Sequence, residues 1–96
     1  MTPSAGDIFL ADAREEQRRR VLVVSDTRFH RATGRAIVAP SIATIAADES
    51  PWRPGVAERF AVDYLTTVPL DRLLEALGRV DADTLRRAQR AIVMSL

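Results

Sequence analysis

Hydrophobic positions along this chain change their period twice. Ile8-Phe9-Leu10-Ala11, Val21-Leu22-Val23-Val24 and Ala36-Ile37-Val38-Ala39 are short apolar blocks bounded by polar or glycine-containing segments. Blocks of that length, rich in β-branched residues, predict strands rather than helices. The strands expected here are Ile8 to Ala11, Val21 to Ser25 and Arg35 to Pro40, with Asp12 to Gln17 a polar loop. Asp26 to Thr33 predicts a helical turn, and Gly34 supplies the turn into the third strand.

Beyond Pro40 the pattern loosens. Ser41 to Gly55 reads as irregular, and Ser50-Pro51-Trp52-Arg53-Pro54-Gly55 is the expected flexible loop. Arg59 to Leu65 and Thr66 to Val68 predict one or two more strands. The period then becomes helical. Leu70, Leu73, Leu74 and Leu77 fall at i, i+3, i+4 and i+7, which predicts a helix starting near Pro69 and ended by Gly78. Asp81 is placed to cap a second helix, with Leu85, Ala88, Ile92 and Leu96 on one face. The expected architecture is α+β, a small β-sheet or barrel followed by two helices, in one domain spanning residues 1–96.

Composition narrows the class. With 96 residues, 47% of them hydrophobic and 28% charged, the chain suits a folded domain with a modest core and room to share apolar surface with a second copy. No apolar run reaches the roughly 20 residues of a membrane span. Met1-Thr2-Pro3-Ser4-Ala5-Gly6-Asp7 lacks a basic stretch followed by an apolar one, and there is no cysteine, so a cytoplasmic location is expected.

The net charge of +1 is uninformative, but its distribution is not. Between Arg18 and Arg35 there are six arginines (18, 19, 20, 28, 31 and 35) against one acid, Asp26. All basic residues apart from the single histidine are arginine, whose planar guanidinium contacts phosphate bidentately. Three adjacent guanidiniums cannot be buried unpaired, so Arg18-Arg19-Arg20 is expected at a strand mouth, facing solvent, acids or phosphates. Arg19 and Arg20 cannot share a face of a strand.

Other chemistry is thinly represented. His30, between Phe29 and Arg31 in the basic connection, is a candidate proton shuttle or a solvated loop residue. No cluster has metal-ligand spacing, no glycine-rich phosphate loop exists, and no cofactor is expected. Phe9 and Phe60 read as core. Trp52 could stack on a base or cover a surface.

In order and spacing, these segments resemble the MazF/PemK family of toxin endoribonucleases. The residues carrying the resemblance are Gly6-Asp7-Ile8-Phe9-Leu10-Ala11-Asp12, then Arg19-Arg20-Val21-Leu22-Val23-Val24-Ser25. Asp26, Phe29-His30, Thr33-Gly34 and Ile37-Val38-Ala39-Pro40 follow, and Thr67-Val68, Leu73 and Leu77-Gly78-Arg79-Val80 close the series. The resemblance implies an SH3-like barrel of the CcdB/PemK type with two C-terminal helices, a homodimer, and a cognate protein antitoxin whose acidic, apolar tail blocks the groove. It implies metal-independent cleavage of single-stranded RNA by attack of the substrate's own 2′-hydroxyl. The family's catalytic arginine maps onto Arg19. Arg18, Arg20, Arg28, His30, Arg31 and Arg35 are then candidate substrate contacts.

Three positions depart from the family. Arg20 replaces a proline, the loop before Arg18 is short and lacks glycine, and Ile42 replaces the second catalytic residue, a Thr or Ser. Isoleucine donates no hydrogen bond. Ser41 can substitute only if a local bulge turns it to the face of Arg19. Two further readings follow. One is a binding-only toxin similar to the gyrase poison CcdB, although the chain ends Val93-Met94-Ser95-Leu96 rather than Trp-Gly-Ile. The other is a catalytically impaired MazF relative that keeps only partner binding.

Overall fold

The computed structural model describes residues 2–14, 17–41, 60 and 64–95. Within them the chain runs β1 (Asp7–Arg14), β2 (Gln17–Val23), α1 (Thr27–Thr33), β3 (Arg35–Pro40) and β4 (Thr66–Pro69). A 3₁₀ turn at Leu70–Arg72, β5 (Leu73–Arg79) and α2 (Ala82–Ser95) complete it. The strands form one sheet in the order β4-β3-β2-β1-β5, every neighbouring pair antiparallel.

The two edge strands, β4 and β5, are consecutive in sequence with only the 3₁₀ turn between them. That short link forces the sheet to curl until its edges approach. Leu70 N donates to Gly34 O (3.0 Å), tying the turn to the α1–β3 corner. The sheet does not close: β4 and β5 are not paired. The expected barrel is therefore an open, curled sheet, and the α+β class stands.

Alternation sorts the apolar side chains onto two faces. Phe9, Ala11, Val21, Val23, Ala36, Val38, Val68 and Leu73 pack inside the curl, with Leu70 against them. Leu22, Ala39 and Phe60 pack on the other face under Ala88 of α2, flanked by Ile8, Val80 and Ile92. Both faces are buried, which is why the strand segments read as continuous apolar runs.

Both helices begin at aspartates. Asp26 Oδ1 accepts from Phe29 N at 3.0 Å and caps α1, and Gly34 in the left-handed conformation (φ 68°) ends it. Asp81 Oδ1 accepts from Thr84 N at 2.7 Å, and Asp81 O accepts the first intrahelical bond, from Leu85 N. Each cap holds its carboxyl below the usual aspartate range. For Asp26 the main cause is the Phe29 amide, and for Asp81 it is the hydrogen bond with the Thr84 side chain.

Three expectations are corrected. The loop expected at Asp12 to Gln17 is largely strand, because β1 continues to Arg14 and β2 starts at Gln17. The arginine triplet therefore lies within β2 and not at its mouth. The helix expected from Pro69 to Gly78 is instead β5. Its pairing with β1 runs Leu73↔Ala11, Glu75↔Leu10, Ala76↔Phe9 and Gly78↔Ile8, so Leu74 and Leu77 are each the extra residue of a bulge. A strand bulged once in every three residues has a period close to three, and that imitates the helical stripe. The expected loop from Ser50 to Gly55, with Trp52, lies outside the described residues. Among the described residues no helix is long and apolar enough to cross a membrane.

Candidate nucleic-acid interface

The register of β2 decides which arginines act together. Val21 pairs with Pro40, Leu22 with Ala39 and Val23 with Val38, and Ser41 N donates to Arg20 O at 2.9 Å without any register shift. Residues directly opposite share a face. Ser41 therefore lies beside Arg20. Arg19 is on the other face, opposite Ala11, at the open end of the curl's interior. The bulge needed to bring Ser41 round to Arg19 does not occur. The expected pair Arg19–Ser41 is divided by the sheet, and the pair that shares a face is Arg20–Ser41. Ile42 lies outside the described residues.

Arg19 and Arg20 are both exposed, which is what a guanidinium on a strand does when its neighbours are apolar. Arg18 opposes Asp12 in the β1 ladder. Asp12 Oδ1 is buried and lacks a hydrogen-bond partner among the described residues, and the Asp12 carbonyl accepts from Arg72 Nη1 at 3.5 Å. Asp12 and Arg72 thus join the arginine end of the sheet. The sequence signal for Asp12 was its place at the end of the Gly6 to Asp12 segment. Arg72 carries none, because the leucine spacing around it predicts a helix.

The remaining candidates lie elsewhere. Arg28 and Arg31 are on α1 and Arg35 opens β3, all exposed, with Arg28 3.7 Å from the Asp26 carboxylate. At about 3.3 Å per residue along β2, this second arginine group lies roughly 15–20 Å from Arg19. The six arginines form two separate groups at opposite ends of the sheet.

His30 belongs to neither group as a surface residue. It was expected in a solvated connection, but it sits in α1 at 1% exposure. Its Nδ1 lies 3.0 Å from the Pro3 carbonyl oxygen and its Nε2 2.6 Å from Ser25 Oγ. Pro3 O can only accept, so the ring proton is on Nδ1. Ser25 Oγ accepts from Ile37 N at 2.9 Å and its own hydrogen goes to Nε2. Every polar atom in this chain of bonds is satisfied. His30 pins the N-terminal segment, the β2–α1 turn and β3 together, and presents no ring nitrogen to a substrate.

The Gly6-Asp7 pair is structural as well. Gly6, at φ 95°, donates to Val23 O and accepts from Val80 N, and an added Cβ would lie 3.4 Å from Leu85 Cδ2. Asp7 holds Arg79 at 3.1 Å and accepts from Ser4 N at 2.9 Å. Among the described residues no group of His, Cys, Asp or Glu could hold a metal ion.

Comparison with known proteins gives the same architecture. A family model described as the PemK-like, MazF-like toxin of type II toxin–antitoxin systems matches residues 4–96. Among solved structures, the chain is similar to an endoribonuclease in complex with its cognate antitoxin from a Mycobacterial species. The TM-score is 0.81 at 20% identity, over 97% of this chain and 93% of that one. It is also similar to a MazE–MazF complex from Deinococcus radiodurans, with TM-score 0.81 and 20% identity over 99% and 95% of the two chains. Mycobacterium tuberculosis toxin MazF-mt6 aligns with TM-score 0.74 and 18% identity over 93% and 94%. No curated protein matches.

Proposed function

The chain belongs to the PemK-like, MazF-like toxin family of type II toxin–antitoxin systems, and from that premise we propose that it is a metal-independent endoribonuclease acting on single-stranded RNA in the cytoplasm. The observation that carries this reading is the position of Arg19. It is exposed at the open end of a curled sheet, on a strand paired there with Ala11 of β1.

In this reaction the RNA supplies its own nucleophile. The 2′-oxygen bonds to the adjacent phosphorus, the bond to the 5′-oxygen breaks, and the 2′ proton leaves as the 5′-oxygen gains one. The products are a 2′,3′-cyclic phosphate and a 5′-hydroxyl. The protein has to hold the phosphodiester and stabilise the charge that builds on its non-bridging oxygens. An arginine guanidinium presented from a paired strand meets that requirement. Arg20 and Ser41, on the opposite face, suit a flanking phosphate and not the reacting one. Arg18 extends the same row. Arg28, Arg31 and Arg35 would contact the strand only several nucleotides away, and His30 supports the frame without touching RNA.

Two partners complete the reading. One is a second copy, with Leu74 and Leu77 on the outer edge of β5 as the apolar contact; both are more than two-fifths exposed. The other is a cognate antitoxin. The family match does not favour the gyrase-directed alternative. Reduced activity is a specific second reading, because Ile42 stands where the family carries a Thr or Ser and cannot donate a hydrogen bond.

One experiment separates these readings. The wild type, Arg19→Ala and Ile42→Thr are incubated with a mixed single-stranded RNA pool in EDTA. Cleavage by the wild type and loss in Arg19→Ala is the expected result. Undiminished cleavage by Arg19→Ala would refute the assignment. A silent wild type with an active Ile42→Thr would establish the impaired relative.

A further inference from the structure

Just past the end of β2, Ser25 and His30 form a pair that the ribonuclease reading does not use. His30 Nε2 lies 2.6 Å from Ser25 Oγ, and Nδ1 lies 3.0 Å from the Pro3 carbonyl oxygen. That oxygen can only accept, so the ring hydrogen is on Nδ1. Nε2 is then the basic nitrogen, and the Ser25 hydroxyl donates to it. A hydroxyl within roughly 2.6–3.2 Å of a base, with a third group orienting the base, is the arrangement of an activated nucleophile. Ser25 Oγ has two lone pairs. One accepts from Ile37 N at 2.9 Å and fixes the side chain, and the other is left for an electrophile. At 1% exposure, His30 is shielded from solvent that would compete for Nε2.

Ser25 also lines a cavity of about 300 Å³ between β3 and α2. Ligand pockets run roughly 300–1,000 Å³, so this one suits a small substrate. Val24, Ile37, Leu65, Ile92 and Val93 give it aliphatic walls, which suit a short hydrocarbon chain. Among the described residues, Gln89 of α2 is the second polar residue of the lining. Its side chain is half-buried, and its carboxamide carries two N–H donors. Such a donor stabilises negative charge that develops on a carbonyl oxygen. Bracing the fold requires the bonds between Ser25 and His30. It requires neither a cavity beside them nor an amide donor in the same wall.

We propose that Ser25 is the nucleophile of a second active site, which hydrolyses small carboxylic esters with a short aliphatic acyl group. Ser25 Oγ bonds to the acyl carbon as its hydrogen passes to His30 Nε2. The electron pair of the carbonyl moves onto its oxygen, where Gln89 donates to it. When that pair returns, the bond to the alkoxy oxygen breaks, and the alcohol leaves with the proton from Nε2. Water attacks the acyl-serine in the same way, releasing the carboxylic acid and restoring the hydroxyl. Water is the only co-reactant. The Pro3 carbonyl is a positioning group that holds the tautomer of His30. The proposal stands on this geometry and does not depend on RNA cleavage.

The test has two readouts on the full chain. One is hydrolysis of p-nitrophenyl butyrate above the buffer rate. The other is labelling by an alkyl fluorophosphonate, with the modified residue located by peptide mass spectrometry. The wild type is expected to hydrolyse the ester and to carry the label on Ser25. Ser25→Ala should lose both, with circular dichroism checking that it is folded. Should the loss of the Ile37 acceptor disturb folding, Gln89→Leu serves as the second variant, since it leaves the Ser25–His30 pair intact. It should lower kcat at least tenfold with little change in KM, and Ser25 should still be labelled. A wild type that is not labelled at Ser25 would overturn the proposal. So would wild-type hydrolysis by a folded Ser25→Ala, or an unchanged kcat in Gln89→Leu. RNA cleavage measured on the same samples keeps the two readings apart. A wild type that hydrolyses the ester but cuts no RNA refutes only the ribonuclease, and one that cuts RNA but leaves the ester intact refutes only the second site.

Discussion

Replacing His30 with alanine tests whether the buried network truly braces the fold. The ring is 1% exposed and joins three segments: Pro3, Ser25 in the β2–α1 turn, and, through Ser25, Ile37 of β3. Truncation removes two hydrogen bonds, each contributing about 0.5–1.5 kcal/mol net. It also leaves a cavity, and large-to-small core changes cost about 2–5 kcal/mol with that cavity included. The combined loss expected is about 3–5 kcal/mol. At roughly 0.05–0.15 kcal/mol per residue, a chain of 96 residues has only about 5–14 kcal/mol in total. The variant should therefore lose about a fifth or more of its stability. Urea unfolding followed by circular dichroism, at one fixed protein concentration, measures the loss. With a slope of about 1–3 kcal/mol per molar, the midpoint should fall by at least about 1 M. A double-mutant cycle with Ser25→Ala should give a coupling energy of about 0.5–3 kcal/mol, since the two side chains bond each other. A His30→Ala loss below about 1 kcal/mol, or zero coupling with Ser25, would refute the bracing role and return His30 to the list of substrate contacts.

Two further outcomes follow from the fold. Asp81 has its folded-state pKa lowered, so its charge adds stability above the unfolded value of 3.8, and that stability is lost as pH falls through the folded value. Asp81→Asn keeps an acceptor for the Thr84 amide but removes the charge; thermal melts between pH 6 and pH 2 should show a smaller drop than in the wild type. A steeper drop in the variant would reverse the sign of the argument. If β5 is the dimer edge, Leu74→Asp with Leu77→Asp should yield a monomer in sedimentation while leaving the curled core folded, because both side chains stand outside it. An unchanged dimer would place the interface elsewhere.

Much of this protein was legible in one dimension. Short β-branched blocks are read correctly where both sheet faces are buried, because every position in the strand must then be apolar. That held for the segments at Ile8, Val21 and Ala36. Capping was local as well: Asp26 and Asp81 start helices because a carboxylate three residues before an amide needs no distant partner. The order of motifs from Gly6 to Val80 was sufficient to point to the family.

What the sequence could not decide was anything set by a partner strand. Leu70, Leu73, Leu74 and Leu77 have helical spacing, yet pairing with β1 drew the segment from Leu73 into a strand, and two bulges absorbed the extra residues. No local propensity records that event. The faces of Arg19, Arg20 and Ser41 depended likewise on the β2–β3 register, which a single inserted residue would have reversed. His30 looked solvated because its neighbours in sequence are Phe29 and Arg31, while its partners, Pro3 and Ser25, meet it only once the chain has folded. The sequence by itself determined the strand blocks, the caps and the supply of arginines. Only the tertiary structure decided which of them share a face, because hydrogen-bond register and burial belong to pairs of segments and not to either segment alone.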